Sequence, residues 1–134
     1  MATISNATLE IIATLNPNDH HYDVIVQTKI SYSAAEYAAI KSGTIKCKVK
    51  CAIWGKDYGQ FHWLNPDDLI HEIGYRDFTH PESRENAVTF KTTLPKGWLN
   101  EDIGQDEIYA EIIFLNETFH EVFKRRTSVL TFNF

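Results

Sequence analysis

This sequence predicts an all-β protein: a two-sheet antiparallel β-sandwich of about seven strands, with one short helix over residues 34–42. Three observations predict it. Residues 44–54, TIKCKVKCAIW, alternate more cleanly than any other stretch, with Ile45, Cys47, Val49, Cys51 and Ile53 apolar and Lys46, Lys48 and Lys50 between them. Successive strand side chains point to opposite faces, so this stretch is a strand with one oily face that a second layer must cover. Further strand-like runs recur at intervals of roughly 10 to 20 residues with turn signals between them, which is the spacing of a sandwich or barrel. Only one stretch has a helical signature, and it is too short to form a layer.

In chain order, residues 4–15 read as a strand with Ala7, Leu9, Ile11, Ala13 and Leu15 on one face. The turn NPNDHH at 16–21 breaks it, because Pro and Asn favour turns. Residues 22–32 form the second strand, with Tyr22, Val24, Val26, Ile30 and Tyr32 inward and Asp23, Gln27, Lys29 and Ser31 outward. The helix comes next, in SAAEYAAIKSG. Ser33 and Glu36 make a capping box, Lys41 suits the last turn, and Gly43 can take the left-handed position beyond the C-terminus. The alternating stretch at 44–54 is the third strand. A long loop, GKDYGQFHWLNPDD at 55–68, precedes a weaker strand at 69–78 that Gly74 interrupts. A polar loop at 79–86 leads to a strand at 87–94 with Val88, Phe90 and Leu94 inward. An irregular segment at 95–106 precedes a strand at 107–115 with Ile108, Ala110, Ile112 and Phe114 on one face. A hairpin at 116–118 returns through 119–123, and residues 127–134 make a final strand with Leu130, Phe132 and Phe134 inward.

The chain has 134 residues, which suits a single domain spanning 1–134, and nothing in it marks a linker or a repeat. Its net charge of −5 argues against nucleic-acid binding through the overall field. No apolar run approaches the roughly 20 residues of a membrane span. The first residues, MATISNATLEII, lack a basic region leading into an apolar one, so the expected location is the cytoplasm. Cys47 and Cys51 are four residues apart on one strand face, roughly 13 Å between Cα atoms, which is beyond disulfide reach. They are expected to be reduced and to act as small core hydrophobes.

The succession of strands resembles an immunoglobulin-like architecture, in which the third and sixth strands are antiparallel neighbours. That pairing implies that Lys46, Lys48 and Lys50 share an outer face with Glu107 and Glu111, a mildly stabilising arrangement. The likeness is to an architecture and not to a family. The inter-sheet cysteine pair is missing, and Trp54 has outward parity. Reading Tyr109 as a tyrosine corner would place Glu111 in the core, against the alternation.

Motifs for catalysis are absent: the sequence holds no GxSxG, P-loop, GxGxxG, HExxH or CxxC, and its six histidines lack a metal-binding helical spacing. The expectation leans away from an enzyme. A small enzyme with a histidine and carboxylate pair from the loops is the third reading. The topology itself offers more. In an antiparallel sandwich the loops after strands one, three and five emerge together. They hold eight acids (Asp19, Asp57, Asp67, Asp68, Glu101, Asp102, Asp106 and Glu107) against two bases, Lys56 and Lys96. Carboxylates so gathered could hold Ca²⁺, which takes six to eight oxygen ligands, and the candidate ligands are Asp57, Asp67, Asp68, Asp102 and Asp106. The arrangement resembles C2-like sandwiches that bind calcium with loops at one end. Turns use Asp in any case, and no stretch has the spacing of a calcium loop, so solvated carboxylates are the plainer expectation.

The same end carries Tyr58, Phe61, His62, Trp63 and Trp98. Aromatic side chains in loops can stack on sugars or anchor a protein partner, or can fold back to close the core. The first expectation is therefore a non-catalytic binding or assembly module that recognises a protein or carbohydrate partner through this end. Self-association through the terminal strand would fit such a module. The lysine ladder reads as a solvated strand face, Asn116-Glu117-Thr118 as a chance glycosylation sequon, and Lys124, Arg125 and Arg126 as a cluster too short to imply nucleic acid.

Overall fold

The computed structural model describes residues 2–14, 20–56, 67–77, 81–99 and 106–132. In order these form β1 (Thr3–Ala13), β2 (His21–Ser31), α1 (Ala34–Lys41), β3 (Cys47–Gly55), β4 (Asp68–Asp77), β5 (Glu85–Pro95), α2 (Lys96–Leu99), β6 (Asp106–Asn116), β7 (Glu121–Arg126) and β8 (Leu130–Phe132). One sheet has the order β1-β2-β5. The other has the order β4-β3-β6-β7, with β8 also on β6, and every pairing is antiparallel. This is the expected two-sheet sandwich, and its third and sixth strands are neighbours as the immunoglobulin-like architecture requires. No helix among the described residues is long and apolar enough to cross a membrane.

The core lies where the alternation put it. Val24, Val26 and Ile30 of β2 and Val88, Phe90 and Leu94 of β5 face Val49, Cys51 and Ile53 of β3 and Ile108, Ala110, Ile112 and Phe114 of β6, all fully or almost fully buried. Cys47 and Cys51 are free buried thiols. Burial pushes the Cys51 thiol up to about 12, because an apolar interior disfavours the thiolate. Helix α1 forms as expected. The Ser33 hydroxyl accepts from the Glu36 amide, the Glu36 carboxylate accepts from the Ser33 amide, and Gly43 has φ +80° beyond the end. Its buried Ile40 closes that end of the core.

β1 departs from simple alternation. Ala7, Leu9 and Ile11 turn inward as expected, but Ala13 is exposed, and Leu15 lies outside the described residues. Ile4, of the opposite parity, is buried as well. The cause is a bulge: Ser5 pairs with Lys29 and Thr8 with Gln27, so Asn6 and Ala7 together oppose Thr28. Asn6 takes φ +52°, a left-handed conformation that Asn tolerates better than most residues. The buried Thr28 hydroxyl donates to the Ser5 carbonyl at 3.0 Å, which satisfies both groups at the break.

Lys48 and Lys50 do share the outer face with Glu107 and Glu111, but the expected cross-strand pairing needs a correction. The β3–β6 register sets Lys48 opposite Leu115 and Lys50 opposite Ile113, while Glu111 lies opposite Ala52. The lysines find their acids elsewhere, Lys48 on Glu117 at 2.8 Å and Lys50 on Glu72 of β4 at 3.2 Å. Gly74 marks a bulge, since Cys51 pairs with Ile73 and Val49 with Arg76, so that Gly74 and Tyr75 oppose Lys50. The last strand is split. β7 and β8 succeed one another along β6, and between them the buried Thr127 bonds Ala110 through both its amide and its hydroxyl. Asn116 of the sequon is buried, and its side-chain carbonyl accepts from the amides of Thr118 and Phe119, so it serves as a turn former.

Candidate functional site

Backbone hydrogen bonds bring the expected loop end together. The Thr14 amide donates to the His21 carbonyl, Lys96 to His20 and Lys56 to Glu107. The feet of the loops after β1, β3 and β5 are thus tied to one another. Of the expected aromatic residues, Trp98 is described; Tyr58, Phe61, His62 and Trp63 lie outside the described residues, as do Asp57 and Asp102. Asp68 begins β4 opposite Gly55, and Asp106 begins β6 opposite Phe132, so their backbones sit at this end. Asp67 is half-buried, and its carboxylate accepts a 2.7 Å hydrogen bond from the Tyr109 hydroxyl. No group of three or more His, Cys, Asp or Glu able to hold a metal ion occurs among the described residues.

Trp98 is the most accessible aromatic feature of this end among the described residues. It stands on α2, a single helical turn that the sequence reading treated as irregular. The turn is pinned on both sides, by the Lys96 bond to His20 and by Leu99, which is buried in the core. Trp98 itself remains 52% exposed. Its ring meets that of His71 on β4 at 6.0 Å between centroids and 44° between planes. Leu69, two residues before His71, is also largely exposed. Trp98 and the His71 ring therefore form a partly aromatic surface beside the acidic end, while the register shift between Ile53 and Trp54 sets Leu69 opposite outward-facing Trp54, on the other face of β4. Sequence reasoning missed His71, since nothing local sets β4 against the helix after β5.

A second cluster lies on the outer face of the larger sheet near the same end. Tyr109 and Glu111 point away from the core yet are only 2% and 7% exposed. The Arg126 guanidinium lies 4.8 Å from the centre of the Tyr109 ring and bonds Glu111 at 3.5 Å. Burial, with the Asp67 bond and charge added, holds the Tyr109 phenol well above its ordinary range, and the Arg126 charge opposes this. The Trp54 indole N–H and one Glu107 carboxylate oxygen are buried on this face with no partner among the described residues. The reading that Glu111 stays out of the core holds for its direction, but burial on the outer face was not expected. Tyr109, Asp67, Glu111 and Arg126 satisfy one another, so this cluster reads as a structural lock.

No protein-family model matches this chain, and no curated protein matches its sequence. Among solved structures it is similar to part of a glycosyl hydrolase family 2 member from Bacteroides cellulosilyticus. The TM-score is 0.54 at 10% identity, over 93% of this chain but only 14% of that one. It is similar over nearly its whole length to a protein from Archaeoglobus fulgidus, with a TM-score of 0.51 at 13% identity, covering 98% of this chain and 99% of that one. A DUF3823 family protein from Bacteroides ovatus gives a TM-score of 0.49 at 12% identity, over 96% of this chain and 53% of that one. The first two likenesses, at these identities, show the fold alone, a β-sandwich.

Proposed function

We propose that this chain is a non-catalytic binding module whose contact surface centres on Trp98, with a carbohydrate as the partner. The observation behind this reading is the half-exposed Trp98 indole, carried on a helical turn that Leu99 anchors in the core and flanked by the His71 ring. A rigid exposed indole offers a large contact area at low entropic cost, and its face suits the C–H surface of a sugar ring. The acids of the same end supply acceptors for sugar hydroxyls. That a glycosyl hydrolase family 2 member contains a domain of this fold agrees with a carbohydrate partner.

Affinity electrophoresis through gels that contain soluble polysaccharides tests the reading. The protein is expected to be retarded by at least one of them, and Trp98→Ala to weaken that binding about tenfold or more with the fold intact by circular dichroism. Retention by none, alongside capture of a defined protein that Trp98→Ala abolishes, would make the partner a protein. Unchanged binding in Trp98→Ala would move the surface elsewhere, and an unfolded variant would make Trp98 a core residue. A calcium-dependent version of this module would recruit Asp57, Asp67, Asp68, Asp102 and Asp106. Asp67 is already engaged by Tyr109, so the expected outcome of adding millimolar Ca²⁺ is an unchanged melting temperature.

A further inference from the structure

The larger sheet ends in two unlike edges. Among the described residues, β4 and β7 each pair on one side only. An edge strand exposes a row of unpaired N–H and C=O groups, which is a template for another strand. β7 bears Lys124, Arg125 and Arg126 against Glu121, and all four are exposed. β4 bears Asp68, Glu72 and Asp77 against Arg76. One edge is thus basic and the other acidic, in a chain whose overall charge is negative.

The topology sets these edges up for one another. With the order β4-β3-β6-β7 and every pairing antiparallel, β4 and β7 run in opposite directions. A second copy added alongside therefore places its β4 antiparallel to the first copy's β7, and the sheet continues its alternation. The registers match the charges too. Glu72 pairs with Ala52, Ala52 with Glu111, and Glu111 with Arg126, so Glu72 and Arg126 occupy one rung at opposite edges. Lys124 lies on the rung of Lys50, which the Gly74 bulge opposes, between Glu72 and Asp77. Continuing the sheet without stagger sets Arg126 against Glu72 and Lys124 between Glu72 and Asp77. Both Glu72 and Arg126 already have partners within the chain, but their side chains remain 49% and 61% exposed.

We infer that copies of this chain associate head to tail, β7 of one pairing with β4 of the next. Pairing like with like would bring base to base or acid to acid, so a two-fold dimer through either edge is disfavoured. The head-to-tail contact leaves a free edge at each end and therefore builds an open row of copies rather than a closed dimer. β7 is only six residues long and the contact is edge-on, so the association is weak and depends on salt. It does not rest on the reading of Trp98 as a binding surface.

Sedimentation velocity at protein concentrations up to about millimolar tests this, comparing about 0.01 M salt, where the Debye length is about 30 Å, with 1 M, where it is about 3 Å. At low salt the mass is expected to rise with concentration to at least twice the 15.4 kDa of one chain, and to return to one chain at high salt. Glu72→Lys with Asp77→Lys in one variant, and Lys124→Glu with Arg125→Glu in another, should each remain single chains. An equimolar mixture of the two should associate again. A wild-type mass that stays at one chain at low salt overturns the inference, and so does association that both reversals leave unchanged. Should either variant lose its circular dichroism signal, amide hydrogen exchange of the wild type decides. Added protection at high concentration is expected in β4 and β7, and its absence there overturns the inference.

Discussion

On the outer face of the β1-β2-β5 sheet, Thr93 donates to Asp23 at 2.8 Å and Lys29 meets Glu85 at 2.9 Å, both pairs largely open to water. On the outer face of the larger sheet, Ala52, Tyr109 and Glu111 are as buried as core residues. The pairings of β2 with β5 and of β3 with β6 both run without a register shift. The difference originates at the end of β7. The chain breaks at Thr127 before resuming as β8, and Arg126, the last residue before the break, lies over Tyr109. Alternation decides which side a residue takes. The neighbouring segments then decide whether that side is wet.

The inner faces provide the largest test, because there the two sheets should behave alike. Phe90→Ala in the smaller sheet and Phe114→Ala in the larger should each cost about 3–5 kcal/mol in urea unfolding. A much smaller loss at either would mean that one sheet covers a softer half of the core. A pH series sharpens the same point. The folded Cys51 thiol titrates at about 12, above its ordinary value of 9.0. Its contribution is complete below pH 9 and is lost as pH climbs from 9 towards 12, where the unfolded chain ionises first. The urea midpoint should therefore fall over that range, and less steeply in Cys51→Ala.

Smaller effects separate the outer faces. Tyr109→Phe removes the bond to Asp67 and should cost about 1 kcal/mol, whereas Thr93→Val on the other sheet should cost less than about 0.5 kcal/mol by chemical denaturation. Equal losses would show that burial on the larger sheet's outer face adds nothing. Asn6→Ala should cost about 1 kcal/mol because alanine resists φ +52°, while Asn6→Gly should be near neutral. The same loss from both would mean that the Asn side chain, and not its backbone conformation, holds the bulge.

Much of the fold was legible because its signals are local. The capping box at Ser33, the parity of Cys47 through Ile53 and the interruption at Gly74 each depend on a few neighbouring residues, and each has its counterpart in the structure. Register was not legible. Parity put Lys48 and Lys50 on the outer face correctly, but their position along β6 depends on the whole sandwich, which set them beside Ile113 and Leu115. The site shows the same division. The sequence picked out Trp98 and the gathering of loops, since composition and topology sufficed for both. The His71 ring that flanks Trp98 comes from a strand of the opposite sheet, over 20 positions earlier, and no spacing rule joins them.

The bulge at Asn6 bears on chain length. Ile4 and Ala7 both face inward although three positions separate them, because one residue of β1 has no counterpart on β2. Removing Asn6 would leave Ala7 opposite Thr28 and every inward residue of the strand still inward. The first strand can therefore be one residue shorter at little cost beyond the Thr28 bond to Ser5. Relatives of this protein are expected to differ by a single-residue gap here, whereas the same gap in β3 would turn half of its core residues out to solvent.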